Sequence, residues 1–226
     1  MGAWQKMQGI MGQSAGVEQV PAHDAALHDL RFRALIGRAA WEALPPAVQK
    51  RFSKRLSGVA VALYRGRVVR TEFSAVGWLF AQGLRLVGAP LPLSRDGEVP
   101  AVVCVSEDAR SGGQIWSRMY GRKRGFPQVI HSAKRFAGAT GLEEYVGRGI
   151  GMALRVEPMA DGLRFVSDHY FVMIGGARWR LPRWAEPGRT KVEHHDLGSG
   201  RFAFDLELCH PLLGQLVVQH ALFDDA

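Results

Sequence analysis

The sequence predicts an α+β fold, in which N-terminal helices pack on a long, curled antiparallel β-sheet, a meander with a half-barrel as its most curled form. Three observations carry this. Apolar residues recur at helical spacing before Pro90, whereas from Val99 onward they recur at a period of two. The runs after Val99 are joined by turns too short for the crossovers of a dozen or more residues that parallel strands require. With 226 residues, 47% of them hydrophobic and 22% charged, the chain can bury a real core and is neither disordered nor fibrous.

Residues 1–22, rich in Gly, Gln and Ser, read as a flexible lead-in, and 23–226 as a single α+β domain. Asp24 is placed to cap a helix in which Leu27, Leu30, Ala34 and Leu35 share a face and which stops at Gly37. Pro45 and Pro46 open a second helix, with Val48 and Phe52 one turn apart. Val59 to Tyr64 reads as β-rich, with Arg65-Gly66 turning it into a hairpin or an extended lead toward Val68 and Val69. A helix is then expected over Thr71–Val87, ended by Gly88 and Pro90. It is apolar almost all round, so it is expected to be buried as the filler of the sheet's concave side and not to anchor in a membrane.

Strands are expected at Val99–Val105, Gln114–Tyr120, Val129–Phe136, Leu142–Val146, Ile150–Val156, Leu163–Ile174, Ala177–Leu181, Thr190–Leu197, Arg201–Cys209 and Gln215–Phe223. Asp161-Gly162, Gly175-Gly176 and Gly198-Ser199-Gly200 supply turn chemistry between them. A sheet of this many strands curls.

Lys and Arg number 29 against 21 Asp and Glu, a net charge of +8. The basic residues are scattered and lack the aromatic interleaving of RNA-binding sheets, so no nucleic-acid partner is expected. Cys104 and Cys209 lie far apart in apolar strands and read as buried, reduced thiols. The first thirty residues lack the pattern of a secretory signal, and Phe73 to Ala89 is too short and polar for a bilayer span. A cytoplasmic protein without an integral membrane segment is the expectation.

Candidate motifs mostly fail on spacing. In Gly147-Arg148-Gly149-Ile150-Gly151 neither register puts a third glycine where a dinucleotide fingerprint needs it, so a turn or bulge is expected and no cofactor. His194 and His195 point to opposite faces of a strand, so no metal site is expected from them or from Cys209-His210. Ser199 between glycines is a turn residue, not a nucleophile.

What remains is a softer constellation. Trp116, Arg118 and Tyr120 share one strand face, His131 and Arg135 share another, Ser167 and His169 lie on the face that also carries Leu163, Phe165 and Phe171, and Glu144 lies on the face with Leu142 and Val146. Trp116, Arg118, Tyr120, His131, Glu144 and His169 are therefore expected to converge on the concave face as a ligand-binding site. Arg118, if inward, must meet either Glu144 or a ligand anion.

In chain order, several segments resemble the bacterial family known as domain of unknown function 4166, over about Leu30 to Phe223. The resemblance rests on Gly58-Val59-Ala60-Val61 with Arg65-Gly66, Leu86-Val87-Gly88-Ala89-Pro90, Trp116-Ser117-Arg118-Met119-Tyr120 and Leu142-Glu143-Glu144-Tyr145-Val146-Gly147. It continues through Gly162-Leu163, Leu181-Pro182-Arg183-Trp184, Gly200-Arg201-Phe202 and Pro211-Leu212-Leu213-Gly214. The chain departs from the family pattern at Tyr120 (usually Phe), Arg148 (usually Pro) and Gln219-His220-Ala221 (usually Tyr-x-Gly). The resemblance implies occurrence alone or joined to an NAD(P)-binding reductase-like domain, and carries no activity.

The leading expectation is a non-enzymatic module, without cofactor or metal, that binds a small apolar or amphiphilic molecule in the concavity of the sheet. The alternative is an accessory or substrate-positioning domain for an NAD(P)-dependent oxidoreductase partner. An enzyme using Arg118, His131 and Glu144 is a third reading.

Overall fold

The computed structural model describes residues 29–88 and 90–225. The expected lead-in, Asp24 and Leu27 lie outside the described residues. Three short helices come first: α1 (Arg31–Ile36), α2 (Arg38–Glu42) and α3 (Pro46–Phe52). Gly37, at φ 85°, separates the first two, and Pro46 opens the third, where its missing N–H costs nothing.

Strand β1 (Ala62–Phe73) then leads into α4 (Ala75–Gly83) and a 3-10 turn over Leu84–Val87. Ten further strands follow: β2 (Val99–Asp108), β3 (Gly113–Tyr120), β4 (Gln128–Arg135), β5 (Leu142–Gly147), β6 (Ile150–Pro158), β7 (Gly162–Ile174), β8 (Ala177–Arg180), β9 (Arg189–Gly198), β10 (Arg201–His210) and β11 (Gly214–Asp225). Each matches an expected strand to within a few residues.

Pairing is antiparallel throughout and, as expected of a meander, sequential except that β9 pairs with β7 and not with β8, but the sheet is not open. β1 pairs with β11, and β7 pairs with both β6 and β9, so the sheet closes into a ten-stranded barrel with β8 as a spur on β7. The molecule is therefore mainly β, a closed barrel with a few short helices, and not an α+β half-barrel. Closure removes every long free edge, which an open sheet of this size would have to protect. A barrel of this strand number leaves a lumen wide enough for a ligand.

Two expectations near β1 are corrected. Arg65-Gly66 is no turn: the strand runs straight through, and Gly66 pairs with both Phe223 and Ala101. A Cβ there would lie 2.0 Å from the Leu222 carbonyl oxygen, so this glycine permits close strand approach. Thr71–Phe73 belong to β1, opposite Gln219–Val217, and α4 starts only after Ser74, whose Oγ accepts the Gly77 amide at 3.0 Å.

Nor does α4 fill the sheet. Only Gly77 and Ala81 are buried, and Leu79 and Leu86 are 63% and 76% exposed. It lies across one end of the barrel, the mouth, on the start of β11, because Gly77 has no side chain to hold it off the Leu216 carbonyl. No described helix is long and apolar enough to cross a membrane.

The opposite end is plugged. Phe32, Trp41, Leu44, Val48 and Phe52 from the N-terminal helices form one cluster with Leu142, Leu154, Leu163 and Phe165 of the barrel. Arg51 latches this plug: its guanidinium donates to both Asp225 carboxylate oxygens and to Asp196 Oδ1, and lies 4.5 Å over the Phe202 ring. The result is a cup, closed below by α1–α3.

Candidate functional site

The alternation of each strand decides what the cup contains. Above the plug a cavity of about 280 Å³ is walled mainly by apolar side chains, among them Val103, Met152, Leu154, Val192, Leu206 and Phe223. At the mouth it is bordered by Phe80, Leu84 and Val87 on one side and by Leu181, Ala185 and Pro187 on the other.

One charged group breaks the apolar wall. On β3, Trp116, Arg118 and Tyr120 all line the cavity, and Glu144 of β5 faces them from across β4. Lys134 Nζ lies 3.0 Å from Glu144 Oε2, Arg118 Nη2 lies 3.5 Å from Glu144 Oε1, and Arg118 Nη2 donates to Ser132 Oγ at 2.6 Å. The ammonium of Lys134 also sits 4.7 Å from the centre of the Trp116 ring, within cation–π range.

Electrostatics in this cluster are set by burial first. Desolvation alone would push the Glu144 carboxyl up, but the Lys134 and Arg118 charges, with hydrogen bonding from Ser132 and Lys134, hold it down at about 2. For Lys134 desolvation wins, and Arg118 adds to it, so its pKa falls below the ordinary lysine range despite the Glu144 carboxylate. Glu144 is thus ionised at neutral pH. Two basic side chains share its single charge.

Further polar points are sparse. Tyr170 Oη and Thr190 Oγ1 are 2.7 Å apart, with burial raising the phenol's pKa, and Gln219 Nε2 donates to Thr71 Oγ1 at 3.0 Å. Tyr170, Thr190 and Gln219 all line the cavity.

Beneath it, Trp116 and Phe204, 6.1 Å apart and edge to face, separate the main cavity from a second of about 20 Å³. There His194 is held among Phe52, Phe202 and Phe204, with both ring nitrogens unpartnered among the described residues. Burial, reinforced by the Arg51 charge, pulls its pKa down to about 4.

Four of the six expected site residues, Trp116, Arg118, Tyr120 and Glu144, therefore border one cavity. His131 and His169 do not. His131 is opposite Ser117 and meets its Oγ at 3.0 Å on the exposed outer face, because the register pairs inward Arg118 with Ile130. In β7 an extra residue, Asp168, falls between the partners of Leu154 and Ala153, which reverses the alternation. Leu163 and Phe165 face inward before it and Tyr170 after it, while His169 Nδ1 meets Asp168 outside. Arg118, His131 and Glu144 accordingly do not converge, and that enzymatic trio is withdrawn.

Sequence reasoning missed Lys134, Ser132, Tyr170, Thr190 and Gln219. For the first two no local signal decided, because Ser132 and Lys134 alternate with His131, Ala133 and Arg135 and both faces of β4 mix apolar with polar residues.

The discarded motifs have structural explanations. Gly147 and Gly149, at φ 124° and 79°, flank Arg148 in the β5–β6 turn, and Ser199 turns β9 into β10. His195, opposite in direction to His194, meets Asp161 Oδ2 at 2.9 Å on the outside. Cys104 and Cys209 are free thiols but only half-buried, less enclosed than expected. Among the described residues, no three His, Cys, Asp or Glu side chains gather as metal ligands would.

No curated protein matches the chain significantly. A family model does match, over residues 44–223, from just before α3 within the N-terminal plug into the last barrel strand, which is well over half of the chain. On that match the chain belongs to the family described as domain of unknown function DUF4166.

Proposed function

We propose that this protein is a binding module that takes up a small, mainly apolar molecule in the lumen of its barrel and performs no chemistry on it. The observation that carries the reading is the cavity of about 280 Å³, plugged below and bordered above by α4, with an apolar wall broken by one ionic cluster. That is the composition of small-molecule pockets: an apolar lining that supplies binding energy and a few polar groups that fix orientation. At about 0.8 kcal/mol per buried CH₂, an eight-carbon body would gain about 6 kcal/mol, part of which offsets the entropy of association.

Arg118 supports the same reading. Its side chain points into the lumen and is still 24% accessible, so the space around it is open and not packed core.

Native mass spectrometry of freshly purified protein tests the proposal. The expected result is a stoichiometric adduct that dissociates on denaturation and is absent from Leu206→Trp, in which an indole occupies the lumen. An adduct-free spectrum that stays free after incubation with a panel of eight- to twelve-carbon amphiphiles would overturn it.

A further inference from the structure

We infer that the molecule held in the lumen carries a single negative charge at one end, a carboxylate or an equivalent acid head, and that Arg118 receives it. This deepens the binding reading above and rests on it. The inference starts from charge balance. Lys134 and Glu144 are 9% and 7% exposed at their side chains, and Arg118 joins them, so two basic side chains face one carboxylate in a wall otherwise apolar. Glu144 is engaged more closely by Lys134, at 3.0 Å, than by Arg118, at 3.5 Å, so Arg118 is the permanent cation of the cluster with donors left for an anion.

Donor counting agrees. A guanidinium has five N–H donors in a planar fork. Of these, Nη2 serves Ser132 and Glu144, while Nε is buried with no acceptor among the described residues. A carboxylate is the group whose two oxygens match such a fork. Lys134 is less available, since Glu144 and the Trp116 ring flank its ammonium. With the head at Arg118, the apolar body would run along Met152, Val192 and Leu206 toward α4.

The test compares decanoate with decanol, equal in chain length and different in charge, by displacement of a fluorescent lumen probe at pH 7.5. Decanoate is expected to bind at least tenfold more tightly. Arg118→Gln should reduce that preference to about twofold, read as the ratio of acid to alcohol affinity on the same variant. On the wild-type protein alone, ¹³C-carboxyl decanoate should titrate at lower pH when bound than when free. Equal binding of acid and alcohol overturns the head-group inference and leaves the lumen reading standing. Saturable binding of neither overturns both.

A different observation carries a second proposal: we propose that the mouth docks on an anionic bilayer surface. The turns around this end expose Phe126 (91%), Leu212 (88%), Trp184 (85%) and Leu86 (76%), large apolar side chains from four separate segments. Among them stand Arg85, Arg122, Arg124, Arg148 and Arg183, all exposed and none in a salt bridge among the described residues. Three nearby acids are engaged elsewhere, Glu98 with Arg67, Glu72 with Arg70 and Glu186 with the Tyr170 amide, while Asp96 accepts the Lys123 amide and sits beside Arg122. Apolar tips interspersed with unpaired cations suit an interface of acyl chains and acidic head groups.

Co-sedimentation with vesicles tests this. Binding is expected with phosphatidylcholine containing 30% phosphatidylglycerol, and not with phosphatidylcholine alone. It should weaken at least tenfold in 0.5 M salt and in the double variant Phe126→Ala, Trp184→Ala. No binding to the acidic vesicles, or binding indifferent to the double variant, overturns the proposal. So does a dimer in solution that the double variant dissociates, which would make a second copy the occupant of this face.

Discussion

Lys134 Nζ lies 3.0 Å from Glu144 Oε2 across neighbouring strands, almost wholly out of solvent, with Arg118 as a second cation on the same carboxylate. Such a pair contributes less than its geometry suggests, since both ions were desolvated to form it, but breaking it is costly. Glu144→Gln should therefore destabilise the fold by about 3–5 kcal/mol at pH 7, the usual effect of stranding a buried charge.

The pH dependence of that loss follows from the carboxyl pKa. It is about 2 in the folded state against an ordinary 4.5, so its stabilisation is complete above pH 4.5 and is lost as pH falls toward 2. Urea unfolding of wild type and Glu144→Gln should show a gap that is widest at neutral pH and narrows below 4.5. A gap constant from pH 7 to 3 would contradict the assignment.

The N-terminal plug has its own latch. Arg51, with a side chain only 4% exposed, is shared between Asp225 and Asp196, and so ties α3 to the ends of β11 and β9. Arg51→Met keeps an apolar stem of similar length and removes the charge together with its stacking on Phe202. A loss of about 3 kcal/mol is expected, at the low end for a broken buried pair because Asp225, 30% exposed, can take up water. Arg51→Lys should recover little of it, since one ammonium cannot reproduce the fork that serves two carboxylates. Chemical denaturation of the three proteins at pH 7 measures both claims.

How much of this was legible in the sequence depended on where each decision is made. Strand ends were readable because they are local: Asp161-Gly162, Gly175-Gly176 and Gly198-Ser199-Gly200 mark turns by their own backbone chemistry. Barrel closure was not, because it rests on pairing the first strand with the last, Tyr64 opposite Asp225, and no periodicity encodes that contact. The inward face of β3 could be read from Trp116, Arg118 and Tyr120. On β4, however, Val129, His131, Ala133 and Arg135 alternate with Ile130, Ser132, Lys134 and Phe136, and both sets mix apolar with polar residues. Only the register to β3 decides between them. The single-residue bulge at Asp168, which turned His169 outward, leaves no mark on hydrophobic pattern at all.

His194 gives a prediction with the opposite sense to most core substitutions. Its two ring nitrogens are buried without partners among the described residues, and its pKa is depressed from 6.5 to about 4. As pH falls through that window the unfolded chain takes up a proton that the folded chain refuses, so wild type should lose stability, on the order of 3 kcal/mol by pH 4. His194→Leu, similar in volume, removes both the slope and the unpaired nitrogens. It should be more stable than wild type by about 1–3 kcal/mol at pH 7, the cost of leaving such groups unsatisfied, and by more at pH 5. Thermal melts of the two proteins at pH 7 and 5 check the sign and the trend.

The last prediction concerns α4 and sets two effects against each other. Replacing a mid-helix glycine by alanine ordinarily stabilises by about 1 kcal/mol, an upper bound for Gly77, which lies in the first turn of α4. At Gly77, however, a Cβ would stand 1.9 Å from the Leu216 carbonyl oxygen and 2.5 Å from its carbon, both rigid backbone atoms of β11. The helix must lift, and overpacking of this kind costs about 1–3 kcal/mol, so the clash should exceed the propensity gain. Because Phe80 and Leu84 border the lumen, lifting α4 widens the mouth as well. Gly77→Ala should therefore lower the melting temperature, speed hydrogen exchange of the α4 amides relative to those of β3 and β4, and accelerate probe release from the lumen. A variant more stable than wild type, with unchanged exchange in α4, would mean that the helix does not rest on β11 in this way.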